Sequence, residues 1–534
     1  MRRGVTVAGA GLVAGLSGCL TTTPDDYPMP PSLGVRYQPL APALPTSPGV
    51  ETVVRCAQAE PATPPAIRVP AGLPGEHAAI PDVPPDTPAT RAERIRLLDQ
   101  LFPELPALGP DPMVDAVPGG RAATLDDLHV YARRNSPLLA QASAEVENAR
   151  GLWIQAGLYP NPTAGFQGDA MANLGSAGQV GGFFNQTIIT GGKLRLARAV
   201  AHYDFENARL RLHKASADLA RQVRADYYAA LVAAEAVRVA RLVNGFTEEV
   251  YRRQVSMVKG GQAAPYEAAA LRAVVGQVRA GLIQARTRYS SAWKQLAATL
   301  NAPDLPPAPL AGRVDEAAPR LRFDALRDRV FAVHTDLAVA RNQIAQAEAT
   351  LVVERRRPLP NLENNVYFQE DSQVNSFQLG VQVGVVVPVW NRNQGAIIAA
   401  KATVFRLARE TERVRNDLQR QLADAYERYE SARQQLAMYR EEILPDLVRA
   451  FRGVYRRYEV EPDKVNYNDI VTAQQNLTMR LTDYLTLLNQ QWLAASDLAG
   501  VVQALDLGEL LKDPDPAGPD GWPETGLQPP EGKK

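Results

Sequence analysis

The clearest pattern of hydrophobic and polar positions lies in the second half of the chain. At residues 377–386, apolar side chains alternate with small or polar ones, which is typical of a β-strand with one apolar face. Residues 363–370 predict its antiparallel partner across a short turn. Earlier in the chain, residues 163–170 and 180–189 predict a second, more glycine-rich pair. Strands of roughly 9–11 residues have the length that a tilted strand needs to cross a bilayer.

Each predicted strand pair is followed by two very long stretches with helical periodicity. Stretches such as 192–244 and 393–444 would extend ~75 Å at 1.5 Å per residue, far beyond an average globular helix. In the second stretch, apolar residues recur every 3.5 residues, a period that keeps one seam against a neighbouring helix. The residues of this seam are Leu418, Leu422, Ala425, Tyr429, Ala432, Leu436, Tyr439 and Ile443.

The two halves of the chain look like copies of one unit. The segment Asp-Leu-Ala-Arg-Gln-Val at 218–223 recurs as Asp-Leu-Gln-Arg-Gln-Leu at 417–422, which is 199 residues later (417 minus 218). A period of this size indicates a domain duplication rather than a solenoid. We therefore predict two structural repeats, 121–310 and 311–505, each containing a helical stretch, a strand pair and two long helices.

The predicted fold class is mainly α with a small transmembrane β part. A membrane barrel needs at least about eight strands, and an open sheet edge would leave backbone groups unsatisfied in hydrocarbon. Two strand pairs per chain fall short of this number. We therefore expect a homotrimer that closes a 12-stranded β-barrel, continued by a tube of the long helices.

The N-terminus indicates export to an envelope. Arg2 and Arg3 precede a short apolar run, so residues 1–18 resemble a signal peptide rather than a membrane-spanning helix. The run ends in Leu-Ser-Gly-Cys, which resembles the lipobox of bacterial lipoproteins and predicts lipidation at Cys19. Leu20 after the cysteine implies, by resemblance to lipoprotein sorting rules, the outer membrane. A cytosolic N-terminus with one chance cysteine is the alternative.

Proline-rich segments flank the repeats. Residues 19–120 predict an extended tether with a short helix at 89–101, because proline removes backbone donors and fixes φ. Cys56 lies in this tether, either as a free thiol or in an intermolecular disulfide. Residues 506–534 are again rich in Pro and Gly and predict a disordered tail.

Composition argues against several functions. Lys+Arg and Asp+Glu are equal at 58 each, so the chain lacks the net positive charge of a nucleic-acid-binding protein. Two Cys and five His occur without C-x-x-C or H-E-x-x-H, which predicts no metal site and no cofactor. The segment Thr190 to Lys193 resembles the end of a phosphate-binding loop, but Thr187 stands where that loop requires glycine. We predict that the chain is not an enzyme.

Motifs at the two predicted strand-to-helix junctions point to one family. They read Gln-Thr-Ile-Ile-Thr-Gly-Gly-Lys at 186–193 and Pro-Val-Trp-Asn-Arg-Asn-Gln-Gly at 388–395, and Tyr-Pro-Asn-Pro at 159–162 precedes the first strand pair. Together with the duplication and the lipobox, they resemble the TolC family of outer-membrane efflux channels over about residues 124–503. The second junction is similar to the cobalt-zinc-cadmium export branch. The junction residues are Gly191, Gly192, Pro388, Asn391 and Gly395.

This resemblance implies a function as well as a fold. Family members are homotrimers with a β-barrel in outer-membrane lipid and a periplasmic α-helical barrel, and they dock to a periplasmic adaptor (membrane fusion) protein and an inner-membrane pump. The chain would then be a passive export duct for small solutes, such as heavy-metal cations or drugs. The alternative is a structural coiled-coil envelope lipoprotein without a pore, for which paired strands have no use.

The far ends of the long helical hairpins are the expected adaptor-docking sites. We predict turns at 243–247 and 443–446, because glycine permits positive φ and proline can begin a new helix. A large apolar side chain such as Phe246 would gain burial at a solvated tip only against a partner. Gly-Phe-Thr at 245–247 also resembles the Val-Gly-Leu-Thr type of tip signature. The predicted tip residues are Gly245, Phe246, Thr247, Leu444 and Pro445.

Overall fold

The computed structural model describes residues 72, 74, 82–109, 122–169, 178–316, 319–372, 375–460, 467–505 and 507–508. The predicted signal peptide, Cys19, Cys56 and the C-terminal tail lie outside them. The chain divides into two compact units, Met1–Ile80 and Pro81–Lys534, and all elements described below belong to the second unit.

The first repeat has the predicted order of a helical stretch, a strand pair and a long helical hairpin. Its helical stretch is broken in two at Ser136, whose side chain caps the second helix by accepting a hydrogen bond from the Leu139 N–H. A short helix from the tether, α1 (Arg91–Leu101), precedes the repeat. The repeat itself comprises α2 (Leu125–Asn135), α3 (Pro137–Gln155), β1 (Thr163–Asp169), β2 (Gln179–Ile188), α4 (Lys193–Lys259) and α5 (Pro265–Thr299).

The second repeat follows the same order. The equivalent break lies at His334, whose Nδ1 accepts a hydrogen bond from the Asp336 N–H. A π-helix (Tyr439–Ile443) interrupts the first arm of its hairpin. The elements are α6 (Phe323–Val333), α7 (Thr335–Arg356), β3 (Leu362–Asp371), β4 (Ser376–Val385), α8 (Gln394–Met438), α9 (Leu444–Val460) and α10 (Tyr467–Val502).

The four strands form one antiparallel sheet in the order β1-β2-β3-β4. The two pairs are joined through β2 and β3, where Phe184 lies opposite Val366 and Ile188 opposite Leu362. Because β2 belongs to the first repeat and β3 to the second, the two repeats share one continuous sheet. Strands β1 and β4 each pair on one side only within the described chain.

The main core lies where the hairpins of the two repeats meet. Leu296 of α5 and Leu498 of α10 are fully buried there. The predicted apolar seam is confirmed within α8, where all six of its residues from Leu418 to Leu436 are buried. Its last two residues, Tyr439 and Ile443, lie in the π-helix and are only half-buried. Trp492 is also buried, and its indole N–H donates to the Val314 carbonyl at 2.9 Å. Burial of these side chains between helices is the main source of stability for helices of this length.

The predicted position of the first hairpin turn is wrong. Helix α4 is continuous through 243–247 and has 67 residues, so it extends ~100 Å, and the turn lies between Lys259 and Pro265. One internal glycine costs a helix about 1 kcal/mol, which packing of the flanking turns easily exceeds. Val250, Tyr251 and Val255 supply that packing, since all three are buried.

The predicted turn at 443–446 is also wrong. The chain stays helical there, passing from the π-helix into α9, and the connection between α9 and α10 falls outside the described residues. Pro445 lacks an N–H and its ring would clash with the carbonyl four residues earlier in a regular α-helix. The π-turn before it accommodates this local mismatch without ending the helix.

Candidate functional site

The sheet carries an uncovered apolar face. Alternate residues of all four strands point to this face, and Phe377, Leu379 and Val381 of β4 are 66–70% exposed. A patch of this size on one chain indicates that something other than water covers it. Its apolar members are Phe166, Phe184, Ile188, Leu362, Val366, Phe368, Phe377, Leu379, Val381, Val383 and Val385.

The opposite face of the sheet is polar and acidic. Gln369 donates from Nε2 to Gln179 Oε1 at 2.8 Å, and Gln179 donates from Nε2 to Asp371 Oδ2 at 3.1 Å. Asp169 and Glu363 add two further carboxylates to this face. The residues of the four strands include no Lys and no Arg, so this face presents oxygen atoms without a competing cation. The predicted alternation of the strands is thereby confirmed.

Each strand pair leads into its long helix through a residue with left-handed backbone conformation. Gly192 (φ 67°) precedes α4 and Asn393 (φ 62°) precedes α8, at equivalent places in the two repeats. Gly191 also has a positive φ of 68°, and a Cβ there would lie 2.8 Å from Leu359 Cδ1. In the second junction, Asn391 Oδ1 accepts a hydrogen bond from the Asn393 N–H at 3.0 Å. The left-handed residue makes the turn from strand to helix at both junctions.

The remaining junction residues have different surroundings. Pro388 follows the end of β4, where proline removes a donor and cannot extend the ladder. Gly395 lies in the first turn of α8, and a Cβ there would meet nothing within 4 Å. Nothing in the structure therefore requires glycine at residue 395. Trp390 between them is 89% exposed.

Residues 190–193, which resemble the end of a phosphate-binding loop, make structural hydrogen bonds. Lys193 Nζ donates to Asn361 Oδ1 at 2.7 Å, and Thr190 Oγ1 donates to the Pro360 carbonyl. Both partners belong to the Pro-Asn turn before β3. The hydroxyl and the ammonium group thus tie the first junction to the second repeat.

The residues predicted as docking tips lie inside the helical packing. Thr247 is fully buried, and its Oγ1 donates to the Val243 carbonyl at 2.7 Å. The Phe246 ring contacts Phe451 and Tyr455 of α9, with ring centroids 5.2 Å and 5.3 Å apart. Contrary to the prediction, Phe246 needs no external partner for burial, because α9 provides the contact.

Gly245, Leu444 and Pro445 are also remote from a turn. Gly245 is exposed within the continuous helix α4, and Leu444 and Pro445 are half-buried at the start of α9. None of these residues connects two helices.

The actual tip of the first hairpin is a glycine turn. Gly260 ends α4, Gly261 adopts a φ of 75°, and Pro265 begins α5. Glycine just past a helix and proline at the first helical position are the standard end and start signals, so the sequence could have located this turn. Tyr266 follows at once and is 72% exposed.

Polar contacts within the second repeat and between the two repeats lie near His334. Lys214 Nζ lies 2.7 Å from Asp336 Oδ2, and Arg221 and Arg428 both pair with Asp497, at 3.3 Å and 3.1 Å. The pKa of His334 is lowered to about 4, chiefly by burial; the Asp336 carboxylate opposes this shift and the nearby Lys214 adds to it. His334 is therefore neutral at physiological pH.

The described residues contain neither a metal-binding cluster nor an apolar helix of membrane-spanning length. No group of three or more His, Cys, Asp or Glu side chains in the described ranges is arranged to hold a metal ion. Over the same ranges, no helix combines the length and the apolar character that a membrane span requires.

Comparison with known proteins supports the resemblance. No family model matches the chain. The chain is 24% identical over 362 residues to the cobalt-zinc-cadmium resistance protein CzcC of Cupriavidus metallidurans. This alignment covers 67% of this chain and 85% of the relative.

Solved channels share its fold. The crystal structure of CusC superimposes with a TM-score of 0.61 at 15% identity, over 75% of this chain and 98% of CusC. The Campylobacter jejuni CmeC outer membrane channel gives 0.60 at 15% identity, over 76% and 96% of the two chains. The open Neisseria gonorrhoeae MtrE outer membrane channel gives 0.60 at 17% identity, over 71% and 88%. The chain thus has the fold of the TolC-type outer-membrane efflux channels, as its junction motifs and its duplication predict.

Proposed function

We propose that this chain is the outer-membrane channel component of a tripartite efflux system, a passive export duct driven by an inner-membrane pump. The observation that carries the proposal is the two-faced sheet, which is mainly apolar on one side and mainly polar with three carboxylates on the other. Its outer strands, β1 and β4, each have one edge unpaired in the described chain. Lipid covers such an apolar face, and water fills the space behind the polar one.

The sheet edges support a trimer. In hydrocarbon, the unpaired N–H and C=O groups of β1 and β4 would cost several kcal/mol each. Pairing β4 of one protomer with β1 of the next removes both edges. Three copies of the four-stranded sheet give twelve strands, enough to close a membrane barrel, while two copies give only about the minimum.

The acidic inner face favours cations as cargo. Asp169, Glu363 and Asp371 from three protomers would line the barrel with carboxylates and no strand-borne Lys or Arg. A ring of carboxylates lowers the energy of a cation in a pore and raises that of an anion. The relative named for cobalt, zinc and cadmium resistance supports divalent metal cations as the exported class.

The glycine turn at 260–264 is the proposed contact with the periplasmic adaptor. It is the described end of the long hairpin, and the exposed ring of Tyr266 beside it gains burial only when a partner covers it. Lipid attached to Cys19 would anchor each protomer in the outer membrane together with the barrel.

Conductance and mass test the duct. The purified protein in detergent should have the mass of a trimer, and planar lipid bilayers should show stepwise cation-selective conductance. A structural coiled-coil lipoprotein, the alternative function, gives neither result. Monomers without conductance would overturn the proposal.

A cellular test addresses the partners. Co-expression with a membrane-fusion adaptor and its pump should restore growth of a metal-sensitive host on zinc or cobalt. Tyr266→Asp should remove this resistance and adaptor binding but leave conductance intact, since the tip is remote from the sheet. Unchanged binding by the variant would show that the tip is not the docking site.

A further inference from the structure

Part of the proline-rich tether packs on the first hairpin. Residues 82–109, which we call the strap, contain α1 and cover α4 and α5 near their turn. Leu98 and Phe102 of the strap are buried in a small core together with Val258 of α4 and Leu271 of α5. The predicted short helix at 89–101 is thus confirmed, but it is packed against the hairpin and is part of the same unit.

Three arginines of α5 hold the C-terminal half of the strap. Arg272, Arg279 and Arg286 each donate from Nη1 to a strap carbonyl at 2.8 Å. Seven residues are close to two helical turns, so the three side chains lie on one face about 10 Å apart. The carbonyls belong to Leu101, Pro106 and Gly109.

Arg272, Arg279 and Arg286, which we call the arginine ladder, have a chemistry that suits a proline-rich partner. Prolines at 103 and 106 have no N–H, so the extended strap offers mainly acceptors. The guanidinium group offers only donors. Arg279 is itself held by Glu248 of α4 at 2.6 Å, and the two side chains are only 13% and 24% exposed. The contact between Arg279 and the Pro106 carbonyl is therefore largely buried and held in place.

The N-terminal half of the strap holds the end of α4. Arg94 is buried, donates from Nη2 to the Val258 carbonyl at 3.0 Å and from Nη1 to the Pro84 carbonyl at 2.6 Å. The last carbonyls of a helix lack partners within the helix and attract cations. Asp99 pairs with Lys259, the final residue of α4. The strap thus caps the helix that leads into the turn.

The strap also touches the turn itself. A Cβ on Gly261 would lie 2.9 Å from Asp86 Oδ2, so the Asp86 carboxylate rests directly against the turn backbone. Arg91 holds that carboxylate with its Nε at 3.0 Å from Oδ1. Thr87 follows at once and is exposed. Any protein that approaches the turn end-on therefore meets strap residues beside it.

We propose that the docking surface for the periplasmic adaptor is composite, formed by the turn at 260–264 and by strap residues 84–99. This inference rests on the proposed function, because it assumes that an adaptor docks at this tip. Two segments more than 160 residues apart in sequence then form one surface, and the tether acquires a role in adaptor recognition.

Site-specific photo-crosslinking tests the composite surface. A photoreactive amino acid is placed at residue 87, at residue 262 in the turn, or at residue 107 of the strap, in the full-length protein. The probe is a purified membrane-fusion adaptor that supports export with this chain. Residue 107 is the matched control, because it is exposed like residue 87 and lies near Arg279, about 21 Å along α5 from the turn.

Capture of the adaptor at residues 87 and 262, but not at 107, is the expected result. Capture at 262 without capture at 87 would overturn the composite surface and leave the proposed function standing. Capture at neither position would refute adaptor docking at this tip. The two failures are therefore distinguishable.

Loosening the strap provides a second measurement. The triple variant Arg272→Ala, Arg279→Ala and Arg286→Ala should raise hydrogen exchange at 84–102 and weaken adaptor binding about tenfold, with conductance unchanged. Arg252→Ala is the control, since its guanidinium donates to the Glu248 carbonyl of its own helix and to no strap residue in the described part of the chain. Faster exchange with unchanged adaptor affinity would mean that the strap is structural only, and would overturn the proposal.

Discussion

At the scale of single residues, two glycines near the strand-to-helix junctions occupy opposite settings. Gly192 has a φ of 67°, which an L-residue adopts only with strain, whereas Gly395 lies in the first turn of α8. A Cβ at either position would have open space around it. The two sites therefore differ in backbone conformation and not in packing.

The same substitution should have opposite effects at these two sites. Gly192→Ala should lower the free energy of unfolding by about 1–2 kcal/mol because of the left-handed conformation. Gly395→Ala should raise it by up to about 1 kcal/mol because alanine favours the helix. Urea unfolding of the detergent-solubilised protein measures both. A loss of stability in Gly395→Ala would mean that this glycine has an unseen contact.

His334 should make the protein sensitive to acid. Its pKa is about 4 in the folded chain and ~6.5 when unfolded, so between these values only the unfolded chain binds the proton. The free energy of unfolding should therefore fall by about 2 kcal/mol from pH 7 to pH 5. His334→Asn keeps an acceptor for the Asp336 N–H and should remove most of this loss. Equal pH dependence in both proteins would contradict the assignment.

At the scale of elements, the strands and the hairpins depend on different surroundings. The strands expose apolar side chains on one face, so under the proposed function we expect their stability to depend on lipid. The hairpins bury their seams between helices, as Phe246 of α4 does against Phe451 of α9. The effect of a substitution on a strand should therefore depend on whether the residue lies on the apolar or the polar face.

Neighbouring residues of β4 test this dependence. Val381→Lys places a cation on the apolar face at a cost of about 2–4 kcal/mol near the bilayer midplane, and should reduce the yield of inserted protein. Gln382→Lys lies on the acidic face and should insert normally but lower the cation selectivity of conductance. Equal insertion of both variants would mean that the apolar face does not meet lipid.

At the scale of the whole molecule, the proposed anchor and the strap belong to one N-terminal segment. The lipid would be attached at Cys19, and residues 82–109 are packed near the tip of the hairpin. The α4 helix beside the strap extends ~100 Å from junction to turn. In the sequence, 62 residues lie between Cys19 and the first residue of the strap.

The two cysteines provide a matched test of the anchor. Cys19→Ala should leave a precursor that is not cleaved before residue 19 and carries no lipid, because the thiol is the attachment group. Cys56→Ala should be processed and lipidated like the natural protein. Mass spectrometry of the N-terminal peptide distinguishes them. An unmodified Cys19 in the natural protein would refute the lipid anchor.

The sequence alone determined the elements whose signals are local and repeated. Strand alternation at 377–386, the 3.5-residue seam of α8 and the duplication predicted a sheet between long hairpins, because a period of apolar residues dictates which face must be covered. The glycines at 191 and 192 likewise marked a sharp turn from their residue type.

Only the tertiary structure decided where the long helices end and what packs on them. Pro265 after the glycine pair at 260 and 261 is a stronger local signal than the single glycine at 245, and burial of Val250, Tyr251 and Val255 carries the helix past residue 245 to that pair. The three arginines of the ladder have no local mark of their partners, because the strap carbonyls lie more than 170 residues away in the chain. Contacts between distant segments select among the ends that local propensity permits.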